Sequence, residues 1–301
     1  MIRRINREKL DIVKYNYCIE HSIQSNIYGF SWYLDIACDD WDVLILNDYE
    51  AVMPLPWRKK MFIKYVYPPF WLIQLGVYSL EIENENEFLI ELFDDFKFVE
   101  ARTNTYNSFS MFKAYEQERY LQVLDINLPY ESLYGKYRRD RKKDLQRAKK
   151  HDLIERWNDN PEKLVKLYQN NVGKRIKKKK EKEYEVLLNL MKVCIQKNKG
   201  EMLSVYDGDN KLVASGFFLK HQKRVTILVS STDFKNRKNG ANTFLINAAI
   251  NKYQTNFDVF NFGGSTMKNI AKYFLSFGAR TESYMQLKFN DLPKLIRFFK
   301  R

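Results

Sequence analysis

Residues 225–253 read VTILVSS, then TDFKNRKNG, then ANTFLINAAINKY, and this order decides the fold of the second half of the chain. The first seven residues form an apolar, β-branched run, which predicts a buried strand. The last thirteen are apolar with helical periodicity, and a polar loop ending in Gly240 separates the two segments. This order predicts a sheet covered by a helix.

The predicted strand is the last of three strands joined by short polar turns, and this arrangement occurs twice. Antiparallel meanders are predicted at 41–46, 51–58 and 63–67, and again at 202–206, 212–219 and 225–231. Helices and strands follow each meander, at 87–96 and 98–102 in the first set and at 241–253, 257–262, 266–277 and 280–289 in the second. We therefore predict an α+β fold with two similar mixed sheets, each covered by helices.

The composition is that of a folded protein. The chain has 301 residues, 45% of them hydrophobic, and only 11 Gly and 7 Pro, which excludes disordered and collagen-like classes. No apolar run reaches the roughly 18 to 20 residues that a membrane-spanning helix needs, and MIRRINREK lacks a signal peptide's apolar stretch. We expect a cytoplasmic protein. Three cysteines and three histidines share no metal-ligand spacing, so we predict neither disulfide nor metal.

Charge differs between the two halves of the chain. Residues 1–135 contain 13 basic and 21 acidic residues, a net charge of −8, whereas residues 136–301 contain 38 and 16, a net charge of +22. The asymmetry predicts two domains with these bounds and an anionic ligand or partner for the second. For any single lysine, exposure to solvent without any bound ligand is an equally good explanation.

Two segments concentrate the positive charge. Residues 136–150, KYRRDRKKDLQRAKK, predict a helix that carries five cations on one face: Lys136, Arg139, Lys143, Arg147 and Lys150. Their mutual repulsion requires compensation, either by a polyanion or by acidic residues of the first half. Residues 173–183, GKRIKKKKEKE, predict an exposed helix or loop rather than a binding element.

Two glycine-containing loops are candidate ligand sites. Gly240 can adopt positive φ and leave the N–H groups of the next helix uncovered, and Lys235, Arg237 and Lys238 add positive charge. This predicts an anion site, with an ordinary strand-to-helix loop as the alternative. In 261–265, NFGGS, the glycines permit close approach of a ligand or chain, and Ser265 is also a candidate helix cap.

The order of several short motifs resembles a known group. These are YEAVMPLP at 49–56, YPPFW at 67–71, the basic helix at 137–150, RKNGAN at 237–242, FNFGG at 260–264 and SFGA at 276–279. Together they resemble the Fem-type and related acyl-CoA N-acyltransferase-like proteins, which consist of two GNAT-type folds in tandem. The resemblance implies two tandem GNAT-like domains, at 1–135 and 136–301, with the linking helix at 136–150.

The resemblance also implies cofactor and catalytic residues. In GNAT-type enzymes a loop with the pattern R-x-x-G-x-G/A wraps the donor diphosphate, and the matching residues here are Arg237, Lys238, Asn239, Gly240, Ala241 and Asn242. Asn242 stands where the group has a small residue. Phe274 stands where the group has its proton-donating tyrosine, so the usual general acid is absent or relocated. The adjacent Tyr273 would point about 100° away on a helix and is retained as a candidate catalytic residue. Asp233, after the predicted strand, is a candidate base or a loop cap.

The resulting hypothesis is an N-acyltransferase that uses acyl-CoA, needs no metal and binds a small-molecule amine between the two halves. The candidate substrate-binding residues are Tyr134, Arg138, Arg139, Gly263, Gly264 and Ser265. One alternative is a Fem-type transferase that moves an amino acid from aminoacyl-tRNA to a cell-wall precursor, which the +22 charge favours. Another is a non-catalytic binding module on the same fold.

Overall fold

A computed structural model describes residues 1–60, 62–81, 84–175, 181–264 and 267–293, without the side chains of 236 and 237. The predicted exposed segment at 173–183 lies partly outside these residues. The helices are α1 (Ile12–His21), α2 (Ser31–Ala37), α3 (Asn86–Asp95), α4 (Tyr130–Gly135), α5 (Arg139–Lys150), α6 (Pro161–Asn170), α7 (Glu181–Gln196), α8 (Ala241–Tyr253) and α9 (Lys268–Leu275). In this described part of the chain, no helix combines the length and apolar character needed to cross a membrane.

The strands are β1 (Ile2–Asn6), β2 (Asp40–Leu46), β3 (Ala51–Lys60), β4 (Ile63–Val66), β5 (Tyr78–Ser79), β6 (Phe98–Arg102), β7 (Glu116–Asp125), β8 (Ile154–Trp157), β9 (Gly200–Tyr206), β10 (Leu212–His221), β11 (Arg224–Thr232), β12 (Val259–Gly264) and β13 (Arg280–Asn290). The chain forms two compact units. Unit 1 is Met1–Arg119 with Ser283–Arg301, and unit 2 is Tyr120–Glu282. Unit 1 thus includes C-terminal residues that the predicted domains, 1–135 and 136–301, assign to the second domain.

In unit 1, the strands β1, β2, β3 and β4 pair antiparallel in that order, and β4 then pairs with the parallel strand β6. The predicted meander is therefore confirmed. Helix α3 lies between β4 and β6 in sequence and buries Phe88, Leu89 and Leu92 in the core of this unit.

The parallel strands of unit 1 separate almost at once, because β4 and β6 pair only at Val66 and Val99. The loop after β4 fills the space between them. Tyr33 Oη donates to the carbonyl oxygen of Trp71 at 2.6 Å, and Arg102 Nη1 donates to that of Leu72 at 2.8 Å. A cavity of only about 10 Å³ is left there, with room for about one water molecule.

Asn104 holds the end of this loop and gives a stability prediction. Its Nδ2 donates to the carbonyl oxygens of Leu75 and Val77, both at 3.1 Å, and its Oδ1 accepts from the N–H of Tyr106 at 2.9 Å. Because Asn104→Ala leaves buried backbone groups unpaired, we expect it to lower the free energy of unfolding by about 2 kcal/mol in urea denaturation. Asn84→Ala, at an exposed position, is the control, and an equal loss in both variants would contradict this role.

Unit 2 repeats the order of unit 1. Strands β8, β9, β10 and β11 pair antiparallel, and β11 pairs with the parallel strand β12. The other edge of β12 pairs antiparallel with residues 121–125 of β7. Both units therefore have a three-stranded meander, a helix and a strand parallel to the last meander strand, as the sequence predicts.

Helix α8 begins and ends at the predicted residues, 241 and 253. Its apolar face explains this, because Leu245, Ile246, Ala249 and Ile250 are at most 1% exposed and pack in the core of unit 2. The sheet side of that core includes Phe218 and Phe260. The buried helix therefore fixes the position of the loop that precedes it.

Candidate functional site

The two parallel strands of unit 2 separate after a short paired stretch. Residues Arg224, Val225 and Thr226 of β11 pair with Val259, Phe260 and Asn261 of β12, and there the ladder ends. Beyond it, β11 continues to Thr232 and β12 to Gly264. Backbone groups along separated strand edges need hydrogen-bond partners, so such edges can accept an extended ligand.

A β-bulge lies on β11 at this opening. Phe217 of β10 is opposite Val229, whereas Phe218 is opposite Ile227, so Leu228 is the extra residue. The extra residue of a bulge is left out of the strand ladder. The N–H of Leu228 is therefore a candidate donor to a ligand oxygen.

The loop before α8 has the predicted conformation at Gly240 but not the predicted openness. Gly240 has φ +83° and is the N-cap of α8, as predicted. The N–H of Ala241 donates to Asn239 Oδ1 at 2.9 Å, and Ala241 is only 1% exposed. The prediction of an uncovered N–H is therefore wrong for Ala241, because the preceding asparagine already satisfies it.

Helix α5 lies directly against this loop. A Cβ atom at Gly240 would be 2.2 Å from the carbonyl oxygen of Asp144. The Asp144 carboxylate lies 2.8 Å from Arg141 Nη1 and 2.9 Å from Arg147 Nη1, and it accepts a hydrogen bond from Thr243 Oγ1 at 3.0 Å. A carboxylate of the same chain thus contacts a side chain in the N-terminal turn of α8, where the helix dipole favours negative charge.

The charges of α5 are compensated partly within the helix. Asp144 pairs with Arg141 and Arg147, and Asp140 pairs with Arg141 at 3.4 Å. Arg139, Lys143 and Lys150 are exposed. The helix therefore supplies some of its own counterions and still presents cations to solvent.

Tyr273 joins α9 to the start of α8. Its hydroxyl accepts from Asn242 Nδ2 at 2.9 Å and is 3.2 Å from Thr243 Oγ1. Asn242 Oδ1 in turn accepts from Thr232 Oγ1, at the last residue of β11, at 3.3 Å. The tyrosine hydroxyl is therefore linked through the Asn242 side chain to the end of β11, beyond the point where β11 and β12 stop pairing.

The environment of Tyr273 keeps its phenol protonated at neutral pH. Burial raises the pKa of Tyr273, while the hydrogen bond to Thr243 and the charge of Arg141 act in the opposite direction. The Arg141 guanidinium lies 4.4 Å from the centroid of the tyrosine ring. Phe274 instead stacks on Phe262 at 5.0 Å between ring centroids. Of the two neighbours, Tyr273 is the one with a polar group at the site.

Asp233 has the contacts of a capping residue. Its Oδ1 accepts from the N–H of Lys235 at 3.0 Å, which caps the 3-10 turn Phe234–Asn239, and its Oδ2 is 3.2 Å from Lys211 Nζ. These contacts fit the loop-capping alternative. A role as general base stays a prediction.

The other predicted residues have varied environments. Tyr134 is half-buried with Lys142 Nζ 5.2 Å from its ring centroid, and Arg138 and Arg139 are exposed at the start of α5. Gly263 has φ +83° and donates its N–H to Asn261 Oδ1 at 2.9 Å. Gly264 and Lys238 are exposed. Ser265 and the side chain of Arg237 lie outside the described part of the structure.

Four residues of this site were missed by sequence reasoning: Arg141, Asp144, Thr232 and Thr243. The spacing of Arg141 and Asp144, three residues apart on a helix, is a signal for a local ion pair. Their contact with α8 depends on packing between residues about 100 positions apart. Among the described residues, no group of His, Cys, Asp or Glu side chains is arranged to hold a metal ion.

No protein-family model and no curated protein matches the chain in sequence. Its fold matches several solved structures. FemX matches with a TM-score of 0.65 and 8% identity over 99% of both chains. L-PGS from Bacillus licheniformis matches with 0.57 and 11% identity over 96% of this chain and 95% of that one. A tandem GNAT protein from the clavulanic acid biosynthesis pathway matches with 0.53 and 8% identity over 96% and 98%. The chain therefore has the tandem GNAT-type fold that its sequence motifs predict.

Proposed function

We propose that the chain is an acyltransferase and that it transfers an acyl group to an amine at the separated ends of β11 and β12. The observation that carries the proposal is the opening between these strands, together with the Tyr273 hydroxyl that hydrogen bonds through Asn242 link to the end of β11. We assign the N–H of Leu228, the extra residue of the bulge, as the donor to the acyl oxygen, where negative charge develops during acyl transfer. The structural similarity to a tandem GNAT protein supports the same reaction class.

Unit 2 is the proposed reaction site because the equivalent opening in unit 1 is filled. The loop after β4 leaves a cavity of about 10 Å³ between β4 and β6, which is too small for an acyl group and an amine. Hydrogen bonds from Tyr33 and Arg102 hold that loop. Among the residues that the structure describes, unit 1 therefore has no comparable opening between its two parallel strands.

The proposed reaction forms a C–N bond and breaks the bond between the acyl carbon and the donor's oxygen or sulfur. The attacking amine loses a proton, and the leaving group gains one. We assign the second proton transfer to Tyr273, whose phenol is protonated at neutral pH. The raised pKa keeps the phenol in the protonated form that this role requires, whichever donor is used.

Two features favour an aminoacyl ester of RNA as the donor. Helix α5 covers Gly240 through the backbone carbonyl of Asp144, and the Asp144 carboxylate contacts the Thr243 hydroxyl in the first turn of α8, next to the loop at which a donor diphosphate would bind. The exposed cations of α5, including Arg139, Lys143 and Lys150, are available to RNA phosphates. The Fem-type resemblance of the sequence motifs favours this candidate, and the fold similarity to FemX is consistent with it. The proposed acceptor is an amine of a small molecule or of a cell-wall precursor.

Acyl-CoA is the second candidate donor. The left-handed Gly240 at the N-cap of α8 and the GNAT-type fold favour it. Binding of the CoA diphosphate at this loop requires α5 to move away from Gly240.

Binding measurements separate the two donors. We expect bulk tRNA to bind, with the logarithm of the binding constant falling by about 0.7 to 0.9 per phosphate contact for each unit of log salt concentration. The double variant Lys143→Gln, Lys150→Gln should reduce the salt slope by about 1 to 2. The matched double variant Lys166→Gln, Lys192→Gln, on α6 and α7, should leave it unchanged.

Other outcomes contradict the RNA donor. A binding constant for tRNA that does not change with salt concentration opposes it. Saturable binding of CoA below millimolar concentration favours acyl-CoA as the donor. Transfer of a labelled acyl group from aminoacyl-tRNA and acyl-CoA to a panel of amines then tests catalysis itself. Absence of product from both donors would leave a non-catalytic binding module on this fold.

A further inference from the structure

A second cavity opens on unit 2 at the other end of β11. Its volume is about 420 Å³, and its polar lining includes Lys199, Glu201, Lys220, Gln222, Lys252 and Tyr253. Lys220 and Gln222 belong to the end of β10 and the turn before β11, whereas Thr232 ends β11 at the proposed reaction site. The nine residues of β11 place these two regions about 26 Å apart along the strand.

The cavity contains more positive than negative charge. Glu201 is the only acidic residue in the described lining, and it accepts hydrogen bonds from Lys252 Nζ at 2.6 Å and from Tyr253 Oη at 2.8 Å. Lys252 therefore compensates Glu201. Lys220 Nζ is 3.8 Å from the same carboxylate, a weaker contact.

Lys199 adds a further positive charge to the lining of the cavity. In the part of the chain that the structure describes, its ammonium group makes no hydrogen bond or ion pair, although it lines the cavity. Burial, and then the charge of Lys199, lowers the pKa of the neighbouring His221 to about 4, so this histidine is neutral at pH 7. The cavity thus carries an excess of about two positive charges, from Lys199 and Lys220.

We propose that this cavity binds the phosphate group of a small phosphorylated metabolite. A phosphate monoester carries close to two negative charges at neutral pH, which matches the excess charge of Lys199 and Lys220. Lysine ammonium groups bind phosphate as point charges. The volume of about 420 Å³ lies within the range of small-molecule sites and leaves room for the part of the ligand beyond the phosphate.

Calorimetry with glycerol 3-phosphate, inorganic phosphate and glycerol tests this proposal on the full chain. We expect both phosphates to bind and glycerol not to bind. Lys199→Gln and Lys220→Gln should each weaken binding at least about tenfold, because each removes a charge-assisted contact. Lys192→Gln removes an exposed lysine of α7 that pairs with Glu162 of α6 and does not line the cavity, so this variant should bind like the wild type.

The alternative is that these lysines only compensate the negative C-terminal ends of α7 and α8. In that case Lys199→Gln and Lys220→Gln would lower the unfolding temperature while phosphate binding stayed unchanged, and the proposal would be overturned. Retention of acyl transfer by the two variants would show that the cavity is separate from the proposed reaction site. Binding by the wild type and the control, with loss in both cavity variants, supports the proposal whatever the transfer assay shows.

Discussion

Tyr273→Phe is expected to lower kcat for acyl transfer by about 100- to 10,000-fold, the range typical of losing a general acid. The aromatic ring and its packing remain, but the hydroxyl that contacts Asn242 and Thr243 is lost. The accompanying loss of stability should be only about 1 kcal/mol. Steady-state kinetics, with urea denaturation of the same preparation, separate the catalytic effect from the structural one.

The leaving group provides a sharper test of the same role. Proton donation matters less when the leaving group is a weaker base, so the defect of Tyr273→Phe should shrink with activated ester donors. Tyr206→Phe is the matched control, because it removes a hydroxyl that contacts Lys163 and Asp159 elsewhere in unit 2. Equal rates for Tyr273→Phe and the wild type with every donor would eliminate Tyr273 as the acid.

Gly240→Ala is expected to lower the free energy of unfolding by about 4 kcal/mol. The left-handed conformation, at φ +83°, costs an L-residue about 1 to 2 kcal/mol. The added Cβ would also lie 2.2 Å from the Asp144 carbonyl oxygen. The backbone fixes the positions of both atoms, so rotation of a side chain cannot relieve the clash. Helix α5 must therefore shift away from α8, with a further loss of packing.

Gly135→Ala is the control for this substitution. Gly135 lies in α4, and a Cβ atom there would meet nothing within 4 Å. Because alanine is the better helix former, this variant should be neutral or slightly more stable. Urea denaturation of both variants gives the comparison. If Gly240→Ala lowers the free energy of unfolding by less than about 1 kcal/mol, α5 does not pack closely enough against the loop to exclude a methyl group.

The sequence predicted those parts of the fold that depend on local periodicity. The second meander and α8 are apolar runs bounded by polar turns, so their residues identify them without knowledge of the rest of the chain. Strand β8 was missed because its four residues, IERW, are largely exposed and carry two charges. An exposed edge strand has little of the hydrophobic alternation on which such predictions depend.

The candidate site was harder to predict for a different reason. The positive φ of Gly240 follows from a local glycine, and the structure confirms it. The coverage of that glycine by Asp144 depends on a contact between residues 96 positions apart, for which the sequence has no local signal. The link from Thr232 through Asn242 to Tyr273 likewise joins three separate elements.

The position of Asp144 has a consequence for any anion that approaches α8. Because the carboxylate is tethered to the same chain, its effective concentration at the helix terminus is set by the fold and exceeds that of a free ligand at micromolar levels. A small anion that binds to the first turn of α8 would have to compete with this carboxylate. If the proposed RNA donor binds here, its contacts with the exposed cations of α5 would give it a second point of attachment and would compensate the cost of displacing the carboxylate.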